Sequence, residues 1–446
     1  MKRLLSCLFC CISAAAVQAV TAGEPAPISA QAAPVHSVTA ETTHISEKAV
    51  TQQFHLKPGD LFSEHEYEIA RRDLENTRLF RSLDFIYKER EDGVDIHIKA
   101  DGRRYVLPMF FGLSGNKHAV GVSVGAGNLW QQGEYASLFV GGGRDGLDVH
   151  GGVNWRTHSV SAGYTHLNFT QRFYRNGWMS SPGIFSTADD KDKYAAYWLG
   201  EIHGREDDFF VSYAYQFSSV WSVFVTPEYE YYNYQYHALD SGNHSHISFG
   251  LSYADHISSV MNMRGIDGAE HLHKDEMLRD LPAVRRGKTA QIGYTAGGAW
   301  SGSDYDISKI AVGGEYLWEL KAHHVLALFA KAQRAFAAPF SSQIESSDLL
   351  FNVGIYDREQ RGKGGVSAGI SFTYFLLRNK TGLLSVAPFY EQAFITSGGN
   401  SYQSHSGVGV TLSARLWCIP LPVSLNFTHN LDAGNQHVGC KVGGRF

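Results

Sequence analysis

After residue 22 this 446-residue sequence has no uninterrupted apolar run near the roughly 18 residues that a membrane-spanning helix needs, so the body of the chain crosses no bilayer as a helix. Cysteine is nearly absent there as well. Of five, Cys7, Cys10 and Cys11 precede residue 22, and only Cys418 and Cys440 follow, which removes the disulfide framework of small secreted domains. Proline is scarce, at 12 residues, and neither sign of charge dominates: 39 Lys and Arg face 44 Asp and Glu. The net charge of −5 supplies no basic field to draw the chain to nucleic acid. With 43% hydrophobic and 19% charged residues and a mean hydropathy of −0.22, the chain is neither a helical membrane protein nor disordered. Aromatics and glycine are abundant: 8 Trp, 23 Tyr, 26 Phe and 46 Gly make a β-rich profile.

Lys2 and Arg3, an apolar run from Leu4 to Val17, and the sites Val17-Gln-Ala19 and Val20-Thr-Ala22 predict a secretory signal peptide over 1–22. A Pro/Ala/Ser-rich linker is expected over 23–36. Residues 37–102 alone carry helical patterning. Ser46 to Phe54 predicts a short helix preceded by a strand, and Leu56-Lys-Pro-Gly-Asp60 a turn. Ser63 with Glu66 forms a capping box for a second helix, whose Tyr67, Ala70, Leu74 and Leu79 lie near one stripe. Two alternating segments joined by Glu91-Asp-Gly93 then predict a hairpin, giving a β-α-α-β-β unit.

From Tyr105 to Phe446 period-two alternation replaces the helical pattern. Val366, Ala368, Ile370, Phe372 and Tyr374 alternate with Ser, Gly and Thr, and Val408, Val410, Leu412, Ala414 and Leu416 with Gly, Thr, Ser and Arg. Segments of about ten residues, aromatics near strand ends (Trp221, Tyr229, Tyr231, Tyr232, Tyr234, Tyr236) and a chain ending on a strand distinguish a transmembrane barrel from a soluble sandwich. We expect sixteen antiparallel strands over 105–446, with one merged pair between Lys193 and Tyr236. Thr170 to Lys193 and Asp255 to Arg285 are then long extracellular loops, the second with a short helix. Leu129 to Glu134 and Cys418 to Pro422 are periplasmic turns. Cys418 and Cys440 fall too far apart to bond and are expected as free thiols.

Catalytic and metal chemistry is weakly encoded. His256 with His271 and His273, or His323 with His324, lack the spacing of a closed metal site, and Ser404-His405-Ser406 places adjacent side chains on opposite strand faces. No enzyme activity and no cofactor are expected.

A single β-α-α-β-β unit ahead of a sixteen-stranded barrel resembles the BamA/TamA-type outer-membrane assembly and translocation family, the bacterial surface antigen proteins. Residues 37–102 resemble a POTRA (polypeptide-transport-associated) domain through Leu56-Lys-Pro-Gly-Asp-Leu61, Ala70-Arg-Arg-Asp-Leu-Glu-Asn-Thr-Arg-Leu-Phe80 and Val94-Asp-Ile-His-Ile98, although the glycine usual before the final Phe is missing. Gly127-Asn-Leu-Trp-Gln-Gln-Gly133 is similar to the family's second strand and periplasmic turn. The resemblance implies a lumenal loop between barrel strands 11 and 12, here around Asn352 to Gly365, whose arginine pairs with an acid on strand 13. Val353 stands at the motif arginine, so Arg358 or Arg361 is the expected partner of Glu391. It also implies a weak lateral seam between Tyr105–Ser114 and His437–Phe446, loosened by Gly112, Gly439, Gly443 and Gly444, and a terminal insertion signal of His437, Gly439, Val442 and Phe446.

The function so implied is insertion or translocation of polypeptides at the bacterial outer membrane, with residues 37–102 in the periplasm. Its partners would be outer-membrane lipid, unfolded or secreted polypeptide clients on the domain's edge strand, and periplasmic or lipoprotein subunits. Two alternatives stay open: a channel or transporter whose periplasmic domain recruits a partner, and a surface antigen working through its long loops.

Overall fold

The computed structural model describes most of residues 33–442; the longer stretches outside the description are 75–78, 114–118, 175–197, 257–286, 350–360 and 417–422. The expected signal peptide, Arg358, Cys418, Gly443, Gly444, Phe446 and the short helix within 255–285 fall outside it.

The N-terminal unit is a three-stranded sheet backed by helices. Strand β1 (Val35–Thr43) runs parallel to the central β3 (Gly93–Gly102), and β2 (Phe80–Arg90) pairs antiparallel on its other side. β1 begins two residues inside the expected linker because Val35, 1% exposed, belongs to the core. Helix α1 (Glu47–Gln53) starts where Ser46 accepts from the Ala49 amide, and the Lys57 ammonium closes it by donating to the carbonyls of Thr51, Gln52 and Phe54. Burial pushes the Lys57 ammonium below its ordinary pKa, with Asp60 pulling the other way. The Ser63 hydroxyl accepts from the Glu66 amide, and Glu66, Tyr67, Ala70 and Leu74 are helical, as the capping box predicts. Val94, Ile96, Ile98 and Ala100 on one face of β3 meet Val50, Phe54, Ala70 and Leu74 in a single apolar core. The opposite face is polar: Asp95 accepts from Ser37 and His36 and pairs with Arg90.

Only two residues, Arg103 and Arg104, separate this unit from a large antiparallel β-barrel. Its strands are β4 (Tyr105–Leu113), β5 (Ala119–Gly127), β6 (Tyr135–Gly143), β7 (Gly146–Trp155), β8 (His158–Tyr174), β9 (Trp198–Gln216), β10 (Trp221–Tyr234), β11 (His246–His256), β12 (Gly287–Gly297), β13 (Ile307–Glu319), β14 (Val325–Ala337), β15 (Gly364–Asn379), β16 (Gly382–Ser397), β17 (Ser401–Leu416), β18 (Val423–Asn430) and β19 (Gln436–Val442). Each pairs with the next in sequence, and β19 stands beside β4 in the strand order. No ladder register between those two is found among the described residues. Among the described residues β4, β18 and β19 span 9, 8 and 7 residues, and β8 and β9 span 17 and 19.

The outer face is apolar: Val140, Val211, Val225, Phe249, Ile292 and Val312 are between 36 and 49% exposed on it. Ser367, Ser385, Ser413 and Thr428 are buried on the inner one. That inversion of a soluble fold is the pattern of a sheet whose solvent is lipid. No helix among the described residues is long and apolar enough to cross a membrane.

Two topological expectations change. Trp198–Gln216 and Trp221–Tyr234 are separate strands rather than a merged pair. β11 ends, and β12 begins, at the same end of the barrel as the N-terminal unit, so the Asp255 to Arg285 insert joins strands at that end and not at the opposite one, where it was expected. The aromatic run of β10 is also divided by the pleat. Tyr229 is 46% exposed on the outside, while Tyr232 and Tyr234, at 9% and 3%, turn into the lumen beside Leu167 and Phe169.

Candidate functional site: the lumen, its crossing loop and the open edges

The first turn at the domain end, 128–134, is built to receive the N-terminal unit. The Glu134 carboxylate, 2% exposed, accepts from the amides of Trp130 and Gln132, and fully buried Asn128 takes a left-handed φ of 55°. Asn128 donates to the His44 carbonyl, the Ser46 amide donates to the Gln131 carbonyl at 2.8 Å, and Gln53 donates to the Gly133 carbonyl at 3.0 Å. Gly133 adopts φ +72°, and a Cβ there would lie 2.7 Å from the Gln53 amide nitrogen. The α1 N-terminus and the barrel's first turn thus interlock.

At the other end, the connection between β14 and β15, barrel strands 11 and 12, folds inward. Ile344 and Leu349, 1% and 0% exposed, pack with Ala335, Phe389, Ala393 and Ile395. Ser367 on β15 donates to the Leu349 carbonyl, and Ile344 pairs with Gly362. Gly362 is obligatory because a Cβ would stand 2.0 Å from the Thr396 carbonyl oxygen. From that wall the loop reaches the facing one. Phe340 lies 6.3 Å from Phe173 on β8, its amide donates to the Asp240 carboxylate, and Ser342 hydrogen-bonds His244. β8 and β16 are eight places apart in a ring of sixteen, so the loop crosses the lumen.

Glu391 lies on the inward face of β16 between Phe389 and Ala393 and is 1% exposed, as the alternation predicts. Arg361 sits at the return of the loop, its guanidinium 5.0 Å above the Phe340 ring and donating to the Phe340 carbonyl. Gly112 pairs with Val120, Gly439 with Asn426, and His437 and Val442 with Thr428 and Val423. Ser404 is exposed and His405 buried, on opposite faces. The Gly-x-Ser-x-Gly pentapeptides at 121–125 and 365–369 lie within β5 and β15, not at the strand-to-helix turn of a nucleophile elbow. His324 stacks on Tyr374 at 4.2 Å.

One inward cluster escapes the sequence reading. Asp208 on β9 stands opposite Glu230 on β10, and Glu228 opposite His246 on β11. The His246 Nε2 lies 3.1 Å from the Glu228 carboxylate, and Glu206 accepts from the Tyr232 hydroxyl. The usable signal was two acids at a spacing of two within aromatic strands, Glu206-x-Asp208 and Glu228-x-Glu230. The third of the four acidic positions faces a histidine that lies beyond an intervening turn, which no local spacing reveals.

No protein-family model matches the chain, and no curated protein matches it in sequence. Among solved structures, CdiB from Escherichia coli superposes with a TM-score of 0.60 at 11% identity, over 93% of this chain and 77% of that one. CdiB from Acinetobacter baumannii gives 0.51 at 10% identity, over 92% and 73%. BamA from Haemophilus ducreyi lacking POTRA domains 1-3 gives 0.48 at 12% identity, over 93% and 84%. The likeness to the two CdiB structures is one of fold: an outer-membrane β-barrel architecture.

Proposed function

We propose that this chain inserts or translocates polypeptides at the bacterial outer membrane, with its N-terminal unit acting as a single periplasmic POTRA-type domain. The observation that carries the reading is the outer edge of β2. It closes the three-stranded sheet with no partner strand among the described residues, and all but its first residue is half-buried or exposed. Such an edge offers a row of backbone donors and acceptors to an extended client. Lys88, Glu89 and Arg90 blunt one end of it, leaving Leu83 to Tyr87 as the open part. In this reading Gly112, Gly439, Gly443 and Gly444 loosen the β4/β19 boundary, since a glycine brings no side chain to pack across it. The crossing loop weighs against a freely open channel.

In this reading Glu391 pairs with Arg358 or Arg361, because an ionised carboxylate so deeply placed requires a cationic partner. His437, Gly439, Val442 and Phe446 serve the protein's own insertion. The test is the folding rate of an unrelated outer-membrane barrel into liposomes holding this protein, against liposomes holding a version lacking 33–102. Acceleration that vanishes with the deletion supports the reading. Folding no faster than in empty liposomes, or acceleration untouched by the deletion, overturns it.

A further inference from the structure

We propose that Glu228, Glu230 and His246 form a lumenal site for one divalent transition-metal cation of the zinc class, with the Asp208 carboxyl beside it. A carboxylate oxygen from each glutamate and a ring nitrogen of His246 lie within 4.8 Å of one another. The imidazole is 5% exposed and held from behind: its Nδ1 lies 2.9 Å from the His244 backbone carbonyl. A carbonyl only accepts, so Nδ1 carries a hydrogen, and Nε2 faces the Glu228 oxygen at 3.1 Å, as the donor of a protonated ring or, once that proton is displaced, as a lone pair open to a metal cation. Two bare lone pairs at that distance repel, so a proton or a metal cation must bridge them, and the second glutamate close by favours the metal. A backbone carbonyl behind the ring is also the outer-shell arrangement that orients metal-binding histidines.

A second observation points the same way. The Asp208 Oδ1 is fully buried and has no hydrogen-bond donor among the described residues, although Asp208 stands directly across from Glu230. Carboxyl oxygens gathered on one inner patch, with Lys309 within electrostatic reach of Glu228 and Glu230, give a cation an acidic environment to enter. Mixed imidazole and carboxylate donors favour zinc or manganese over calcium and magnesium, which take oxygen ligands.

The test uses the full chain folded in detergent micelles. Zinc chloride is titrated calorimetrically, and cobalt(II) is added separately to read its visible ligand-field bands. Folding of each variant is checked by heat-dependent gel migration. Because 21 histidines offer weak sites elsewhere, the comparison counts equivalents. The parent and a Glu315→Gln control are expected to bind one tight equivalent. His246→Gln and Glu228→Gln/Glu230→Gln are expected to lose it, with affinity down about tenfold or more and the cobalt bands gone. Glu230→Gln alone keeps the His246–Glu228 contact and serves if the others fail to fold; it too should weaken binding. Equal binding in parent and folded variants, or no tight equivalent in the folded parent, overturns the proposal. In that case the Nε2–carboxylate contact is a proton-bridged ion pair.

Discussion

The two parts of this chain solve opposite solvent problems with the same period-two strand. In β3 the inward Val94, Ile96, Ile98 and Ala100 form a dry core and the outward Asp95, His97 and Lys99 meet water. In β16 the inward side carries Ser385 and Glu391, while Tyr390 and Phe394 face outward at 39% exposure each. Alternation by itself therefore fixes which residues share a face, not which face meets lipid. Stability follows the same split. The small domain rests on apolar burial, and the barrel on ladder bonds and on the medium around it.

Four substitutions and one titration would break or sharpen that contrast. Phe54→Ala empties the centre of the small core and should cost about 3–5 kcal/mol, unfolding the domain while the barrel keeps its heat-resistant gel migration. Val312→Arg places a charge on the outer face of β13 and should cost about 2–4 kcal/mol in lipid-reconstituted unfolding. Gly133→Ala forces a left-handed backbone against Gln53 and should cost roughly 1–2 kcal/mol, read as faster proteolysis of the domain with the barrel unchanged. Ser46→Ala removes a helix cap and should cost the domain about 1 kcal/mol of stability, read as a lower denaturant midpoint.

The smallest effect is electrostatic. The Ser37 hydroxyl, with His36 and Arg90, holds Asp95 below the usual carboxylate range. At Asp101 burial works against ionisation, but the hydrogen bonds from His44 and Thr43 outweigh it. Carboxyls lowered on folding stabilise above their ordinary pKa and lose that contribution as pH falls through the folded value. The domain's melting temperature should therefore fall between pH 5 and pH 3, about where carboxylates titrate, and Asp95→Asn with Asp101→Asn should flatten the fall. A slope unchanged by the double variant would assign the acid sensitivity elsewhere.

Local chemistry was legible in the sequence where one residue type settles one conformation. Ser46 and Ser63 mark helix starts, Asp92-Gly93 marks the hairpin, and the phase of Ser385 to Ile395 places Glu391 inward. What failed to show was punctuation. The four residues Phe217 to Val220 between β9 and β10 include no Gly, Pro, Asn or Asp, so two strands read as one. The Glu228–His246 contact was equally hidden, because it depends on cross-strand register rather than on spacing.

The interlock at 128–134 also has a mechanical meaning. The small domain is joined to the barrel twice, by the two-residue link after β3 and by the turn after β5, and those joints lie at the feet of neighbouring strands, where Tyr105 pairs with Gly127. A body pinned at two points keeps a single easy rotation, about the line through them. The domain can nod toward or away from the barrel mouth but cannot swivel, so the open edge of β2 would travel along one arc.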